Sequence, residues 1–109
     1  MKIPVSVSEI GLYAFSGCSR LRSVEIPEGV TEIAGYTFEK CRNLQDVKLP
    51  ENLCKIGQNA FSGCTALRRI LIPQKVHRIG AAAFENCVSL EEIVVPDPVR
   101  QICRNTFWG

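Results

Sequence analysis

The chain has 109 residues, of which 46% are hydrophobic and 22% are charged, as in ordinary packed domains. Thirteen Lys and Arg residues against eleven Asp and Glu residues leave a net charge of +2, too small to indicate a nucleic-acid partner. No run of about 18 apolar residues predicts a membrane span, and MKIPVSVSEI at the start lacks the continuous apolar region of a signal peptide.

One segment is written repeatedly along the chain at a constant spacing of 23 residues. Each repeat carries a phenylalanine in a fixed column: Phe15, Phe38, Phe61, Phe84 and Phe107. Cysteine, leucine, proline and isoleucine columns keep the same spacing, without an insertion. A fixed period of about 20–50 residues is typical of solenoids, in which each coil packs against its neighbours. We therefore predict that residues 1–109 form a single solenoid domain.

Each repeat begins with a predicted strand. In LRSVEIP, LQDVKLP, LRRILIP and LEEIVVP, β-branched residues alternate with polar ones, which is the period of a half-buried strand. The proline ends the strand because it lacks the N–H that a ladder needs. Identical strands one period apart are expected to stack in parallel and in register, about 4.8 Å per coil.

Two shorter elements complete the predicted coil. VTEIA and VHRIG indicate a second, shorter extended segment. YTFEKC and AAAFENC have the length of about one helical turn, with Phe and Cys three residues apart on one face.

The order Leu…Ile-Pro…Val…Ile-Gly…Ala-Phe…Cys resembles the leucine-rich repeats of the bacterial surface-antigen type, called BspA-like, over nearly the whole chain. The resemblance implies an α/β solenoid: a right-handed coil of about five 23-residue repeats, with a parallel β-sheet on the concave face and short strands and single helical turns elsewhere. It also implies that the chain binds other proteins at cell surfaces. The glycine column carries Ala34 and Cys103, so the backbone is not expected to need a positive φ there in every coil.

The ends of the sequence lack the polar capping repeats that close most solenoids. The chain begins one period before Val24, inside a predicted strand, and stops at NTFWG, inside a predicted turn. We therefore expect either a segment of a longer array or end coils that a second copy covers. Trp108 stands in a column that is otherwise polar, so we expect the last coil or another chain to cover it. A homo-oligomer through the end coils or Trp108 is one predicted outcome.

Four of the six cysteines form a column with the repeat period: Cys18, Cys41, Cys64 and Cys87. Stacked neighbours would hold their Cβ atoms about 4.8 Å apart, beyond the roughly 4.5 Å of a disulfide, so we expect buried free thiols. Cys54 and Cys103 stand about 9.6 Å apart in the stack, too far for a bond between them, and their role stays open. No C-x-x-C or Cys/His pair has the spacing of a zinc site, so we predict no metal.

The sequence gives no indication of catalysis or of a cofactor. It contains no nucleophile elbow, zincin, Walker or dinucleotide-binding motif. The single histidine, His77, shares a column with Ser8, Thr31, Cys54 and Arg100, which is expected to face solvent. The carboxylates are dispersed over the coils, whereas a catalytic centre must break the repeat symmetry. We predict that the chain is not an enzyme and binds no cofactor.

Two columns of the first strands are expected to face the concave surface. One reads Ser23, Asp46, Arg69 and Glu92, and the other reads Lys2, Glu25, Lys48, Leu71 and Val94. Charges alternate along both columns, which favours a self-paired charge ladder. Leu71 and Val94 depart from that pattern. We predict that they form a small apolar centre of a partner-binding patch, rimmed by Lys48, Arg69 and Glu92. The alternative is that Leu71 and Val94 merely pack against each other as strand formers.

A second irregularity is a cluster of basic residues in the later coils. Its members are Lys55, Arg68, Arg69, Lys75, His77, Arg78, Arg100 and Arg104. Such a cluster would suit an anionic partner, for example a sulfated glycan or an acidic protein, or would simply be solvated.

The sequence and the resemblance together favour a protein-binding or adhesion module that uses its concave face. The resemblance implies a host or extracellular-matrix protein as partner and a cell-surface or secreted location, which the residues themselves do not determine. The alternative function is a structural segment that self-assembles through uncapped ends.

Overall fold

The computed structural model describes residues 2–94 and 101–102, with the backbone alone for Val94, Gln101 and Ile102. The chain forms two short strands per coil. In chain order they are β1 (Ser23–Glu25), β2 (Glu32–Ile33), β3 (Asp46–Lys48), β4 (Lys55–Ile56), β5 (Arg69–Leu71), β6 (Arg78–Ile79), β7 (Glu92–Val94) and β8 (Gln101–Ile102). Odd-numbered strands are the first strands of the coils, and even-numbered strands are the second.

The second strands stack into one four-stranded parallel sheet in the order β2-β4-β6-β8. The first strands pair in parallel as β1–β3 and β5–β7, and Lys2 forms a parallel bridge with Glu25 ahead of β1. Strands β3 and β5 are neighbours, but no ladder pair joins them within residues 2–94. Every pair is offset by one repeat, as Val24 with Val47 illustrates. The predicted parallel, in-register stacking is therefore confirmed.

The phenylalanine column forms a continuous ring stack in the core. Ring centroids are 5.4 Å apart for Phe15–Phe38 and Phe38–Phe61 and 5.5 Å apart for Phe61–Phe84, with planes within 8° of parallel. These distances are typical of offset-stacked aromatic rings. The predicted burial of the Phe, Cys, Leu and Ile columns is confirmed in the second and third coils. It is partial at Phe15, Cys18, Leu21, Cys87 and Leu90.

The column prolines follow the first strands, as predicted, and also begin turns. The carbonyl of Pro27 accepts a hydrogen bond from the N–H of Val30 at 3.1 Å, and Pro50 with Leu53 repeats this contact at 3.1 Å. A carbonyl bonded to the N–H three residues later closes a β-turn. This turn leads the chain from the first strand of a coil to the second.

The helical turns predicted at YTFEKC and AAAFENC are wrong, since the part of the chain that the structure describes contains no helix. The N–H groups of Tyr36, Phe38 and Lys40 donate to carbonyls of the next coil, at 2.7–2.9 Å. Tyr36 and Lys40 have φ of about +60°. An α-helix needs each N–H for the carbonyl four residues earlier and a negative φ throughout. Successive turns take its place because bonding between coils uses every second N–H.

The glycine column lets neighbouring coils approach each other closely. A Cβ atom at Gly57 would lie 2.6 Å from the backbone nitrogen of Gly35, and one at Gly80 would lie 2.5 Å from that of Gln58. Neither Gly57 nor Gly80 has a positive φ. Glycine is therefore required at these two positions because no side chain fits there. A positive φ is not the reason, as the occurrence of Ala34 in the same column had indicated.

Candidate functional site

The outward face of the first strands, β1, β3, β5 and β7, carries the residues predicted to bind a partner. Ladder pairing places Arg69 opposite Glu92 and Leu71 opposite Val94. Lys48 on β3 occupies the same column as Leu71 and pairs with Glu25 of β1. The side chains of Lys48, Arg69, Leu71 and Glu92 are exposed. The side chain of Val94 lies outside the described residues, so its contribution to this surface stays a prediction.

The charge ladder predicted for this face forms at one step. Lys48 Nζ lies 3.9 Å from Glu25 Oε1, with 75% and 45% of the two side chains exposed. Among the described side chains no second ion pair occurs, although Arg69 stands between Asp46 and Glu92 in its column. An exposed pair of this kind stabilises a fold by about 0.2–1 kcal/mol. The charges of Arg69 and Glu92 are thus available to a partner at little cost to the fold.

Leu71 is the apolar residue of this face for which the structure gives an exposure, and 63% of it is accessible to solvent. Its neighbours on β5 explain the exposure. Ile70 points into the core, and side chains alternate along a strand, so Arg69 and Leu71 must point outward together. A leucine on a short exposed strand does not contribute to the core.

A shallow depression of about 310 Å³ lies on the same face. Its outer lining is formed by Ser23, Glu25, Asp46, Lys48, Arg69 and Leu71, from three successive first strands. The depression therefore has charged sides of both signs and an apolar edge at Leu71. This arrangement suits a polypeptide partner with both apolar and polar groups.

A family model for the BspA-type leucine-rich-repeat region matches residues 1–109 in six copies. The chain belongs to the BspA-type leucine-rich-repeat family. BspA-type repeats are a general protein-interaction repeat, and the family is not known for enzymatic activity. The phenylalanine column predicted about five coils, and the family model divides the same residues into six copies.

Solved structures of other leucine-rich-repeat proteins are similar to the chain. A leucine-rich-repeat protein of T. pallidum is 31% identical, with a TM-score of 0.95, and the match covers 98% of this chain and 52% of that one. A leucine-rich cell surface protein of Faecalibacterium prausnitzii is 46% identical, with a TM-score of 0.78, over 81% of this chain and 23% of that one. A leucine-rich-repeat protein of Bacteroides ovatus is 31% identical, with a TM-score of 0.66, over 88% of this chain and 33% of that one.

This BspA-type chain thus spans about half of the first of these structures and a smaller share of the other two. A comparison with curated proteins gives no match.

The basic cluster predicted from the sequence is divided between two surfaces of the BspA-type coil. Arg69 begins β5, on the face of the first strands, whereas Lys55 and Arg78 lie on β4 and β6 in the four-stranded sheet. Lys75 lies between these surfaces and donates a hydrogen bond to Asn52 Oδ1 at 2.7 Å. His77 is exposed, as predicted. Arg100 and Arg104, like Cys103 and Trp108, lie outside the described residues.

The cysteine column consists of free thiols, and three of them make the same kind of hydrogen bond. The thiols of Cys41, Cys64 and Cys87 each donate to the carbonyl of the phenylalanine 26 residues earlier, at 3.1 Å. Burial raises the pKa of Cys41 to about 11 and the pKa of Cys87 to about 12. Burial, with the neighbouring thiols adding to it, also raises the pKa of Cys64. A protonated, hydrogen-bonded thiol is a poor nucleophile and a poor metal ligand.

Cys54 differs from the column cysteines because it is half-exposed, and its thiol donates to the carbonyl of Asn52 at 3.3 Å. Within residues 2–94, no group of three or more His, Cys, Asp and Glu side chains is arranged to hold a metal ion. That part of the chain also has no helix with the length and apolar character of a membrane span.

The sequence interpretation missed the charge pattern of the second of these surfaces, on the four-stranded sheet. Glu32, Lys55 and Arg78 project from successive second strands and line one depression of about 310 Å³. Lys55 and Arg78 had been noticed as part of the basic cluster, but the acidic residues that precede them in the same column had not. Reading this column from end to end would have revealed the change of sign.

Proposed function

We propose that this BspA-type chain is a protein-binding adhesion module whose partner docks on the face of the first strands. The patch is centred on Arg69, Leu71, Glu92 and Val94, with Lys48 at its rim. The observation that carries the proposal is the 63% exposure of Leu71 in a column that is charged in the preceding coils. Burying such a side chain against a partner contributes about 1.5–3 kcal/mol.

The surroundings of Leu71 support a protein partner over a small ligand. The adjoining depression extends over three strands, is open to solvent and has charged groups of both signs along its sides. Small-molecule sites are usually more enclosed than this open depression. Interfaces between proteins instead combine an apolar centre with a polar, solvent-accessible rim.

The adhesion role and a cell-surface location rest on the related proteins. The similar F. prausnitzii structure is that of a leucine-rich cell surface protein. By that relationship, the partner is a protein displayed on a host cell or in the extracellular matrix, and this chain meets it outside its own cell.

The test is a double variant, Leu71→Lys with Val94→Glu, compared with the matched control Val88→Glu. Val88 is a 77% exposed apolar residue that does not line the depression on the strand face. A photo-crosslinking residue at position 71, and separately at position 88, is used to capture partners from extracellular-matrix and host-cell surface extracts. Each captured protein is then purified and titrated with all variants.

The proposal expects a partner that crosslinks at position 71 and not at position 88. The double variant should weaken that partner's binding at least about tenfold, the equivalent of about 1.4 kcal/mol. Val88→Glu should bind as the unmodified chain does. Because Leu71 and Val88 are exposed and Val94 is predicted from the sequence to be so, stability should stay within about 1 kcal/mol. Undiminished binding by the double variant would move the site to another surface.

A further inference from the structure

The outward column of the four-stranded sheet changes its charge halfway along the stack. It reads Glu9, Glu32, Lys55, Arg78 and Gln101. The side chains of Glu9, Glu32, Lys55 and Arg78 are all exposed. Glu32 pairs with Lys55, and Lys55 with Arg78, in the parallel ladders, so successive charges are about 4.8 Å apart along the stack.

These four charges share one face. Glu9 and Glu32 line one depression, of about 230 Å³, and Glu32, Lys55 and Arg78 line the next, of about 310 Å³. Lys55 beside Arg78 is a like-charge neighbour pair, which destabilises a sheet. Neither cation has an acidic side chain within ion-pair distance among the described residues. The basic half of the face therefore lacks the neutralisation that an external acidic group would supply.

We propose that this face is a self-complementary homodimer interface, in which the charged columns of two copies of the chain face each other and run antiparallel. With the twofold axis between the rows of Glu32 and Lys55, Glu9 faces Arg78 of the second copy and Glu32 faces its Lys55. Symmetry repeats both contacts, which gives four opposite-charge pairs. A twofold interface requires a surface that is complementary to itself, and a column that changes sign at its centre meets that requirement.

The apolar residues of the face agree with the same axis. Leu12 is 66% exposed and lines the acidic depression. In the basic depression, Ala81 occupies the matching column and Gly80 stands beside it. The twofold places Leu12 of one copy opposite these small residues of the other copy. A large residue therefore meets small ones at each end of the interface.

A second copy suits this face better than an anionic polymer does. A sulfated polysaccharide would contact Lys55 and Arg78, but it would be repelled by Glu32 and Glu9, which lie one and two coils from Lys55. Exposed ion pairs contribute little individually and are screened by salt. The dimer is accordingly weak and dissociates as the ionic strength rises.

Sedimentation velocity across micromolar to millimolar concentrations of the full chain tests the proposal, using Glu32→Lys and Lys55→Glu as separate variants. Each substitution sets two like-charge contacts at the centre of a homodimer and should weaken dimerisation about tenfold or more. An equimolar mixture of the two variants restores every opposite-charge contact in the antiparallel arrangement. The mixture should therefore dimerise within about threefold of the unmodified chain.

Arg42→Glu is the matched control for Lys55→Glu, because it makes the same charge change at an exposed position off this face. It should dimerise as the unmodified chain does. Thermal unfolding of all variants establishes that each one is folded. An unmodified chain that stays monomeric at every concentration overturns the proposal, whether or not Lys55 and Arg78 bind a sulfated polysaccharide. So does a mixture that recovers no dimer. Neither result bears on the separate face around Leu71.

Discussion

Removing one ring from the phenylalanine stack tests how the coils hold together. Phe61 is fully buried, and its ring lies between Phe38 at 5.4 Å and Phe84 at 5.5 Å. Phe61→Ala should lower the free energy of unfolding by about 3–5 kcal/mol, the usual cost of a buried Phe-to-Ala change. The result should lie at the upper end of that range, because two ring contacts are lost and each contributes about 0.5–1.5 kcal/mol beyond area burial.

Phe15→Ala is the graded control for this prediction. Phe15 is half-buried and stacks on Phe38 alone among the described rings. It should therefore cost clearly less than Phe61→Ala. Urea denaturation followed by circular dichroism measures both values, provided that the m-value is unchanged. Equal losses for the two variants, or a loss below about 1 kcal/mol for Phe61→Ala, would refute the argument that the stack carries the coil contacts.

Three further predictions follow from the thiols and the glycines. Under native conditions, a thiol reagent should react slowly with Cys41, Cys64 and Cys87 and faster with Cys54. In denaturant, all four should react rapidly. Rapid labelling of the column cysteines under native conditions would argue against their burial. Because the folded pKa of Cys41 is raised from 9.0 to about 11, its thiol stabilises the fold fully below pH 9. The free energy of unfolding should fall as the pH rises from about 9 towards 11, and Cys41→Ala should show a smaller fall in denaturation midpoints measured over that range. Gly57→Ala should destabilise the chain by about 1–3 kcal/mol through overpacking. Gly11→Ala should be nearly neutral in thermal unfolding, because a new Cβ atom there meets nothing within 4 Å. Equal effects of the two substitutions would contradict the close approach of the coils.

Periodicity alone was sufficient to predict the core and the pairing of the strands. A column such as Ile33, Ile56 and Ile79 has a single way to be buried once identical strands stack in register. The turn segment was predicted wrongly because Phe and Cys three residues apart suit a helix and a chain of turns equally well. Backbone bonding between coils decides between the two, and a single-coil pattern carries no information about it.

The exposed residue at the centre of the proposed patch was predictable because it breaks the repeat symmetry. Leu71 stood out in its column, and its exposure is confirmed. The lack of ion pairing at Arg69 was not predictable, since it depends on side-chain geometry rather than on the order of charges. The charge column through Glu32 and Lys55 was overlooked because Lys55 was grouped with other basic residues rather than with the members of its own column.

The turn segments have a further consequence for how such a chain can change in length. Neighbouring coils are tied by the second strands and by the backbone bonds of the turns, and also by the first strands where β1 pairs with β3 and β5 pairs with β7. Inserting or deleting one residue shifts at least one of these ties out of phase with the others. Excising or duplicating a whole 23-residue unit leaves all of them in phase, because equivalent columns are rejoined. Gene duplication in whole-coil steps is therefore the route of growth that this backbone tolerates, and point insertions should be selected against along the entire coil.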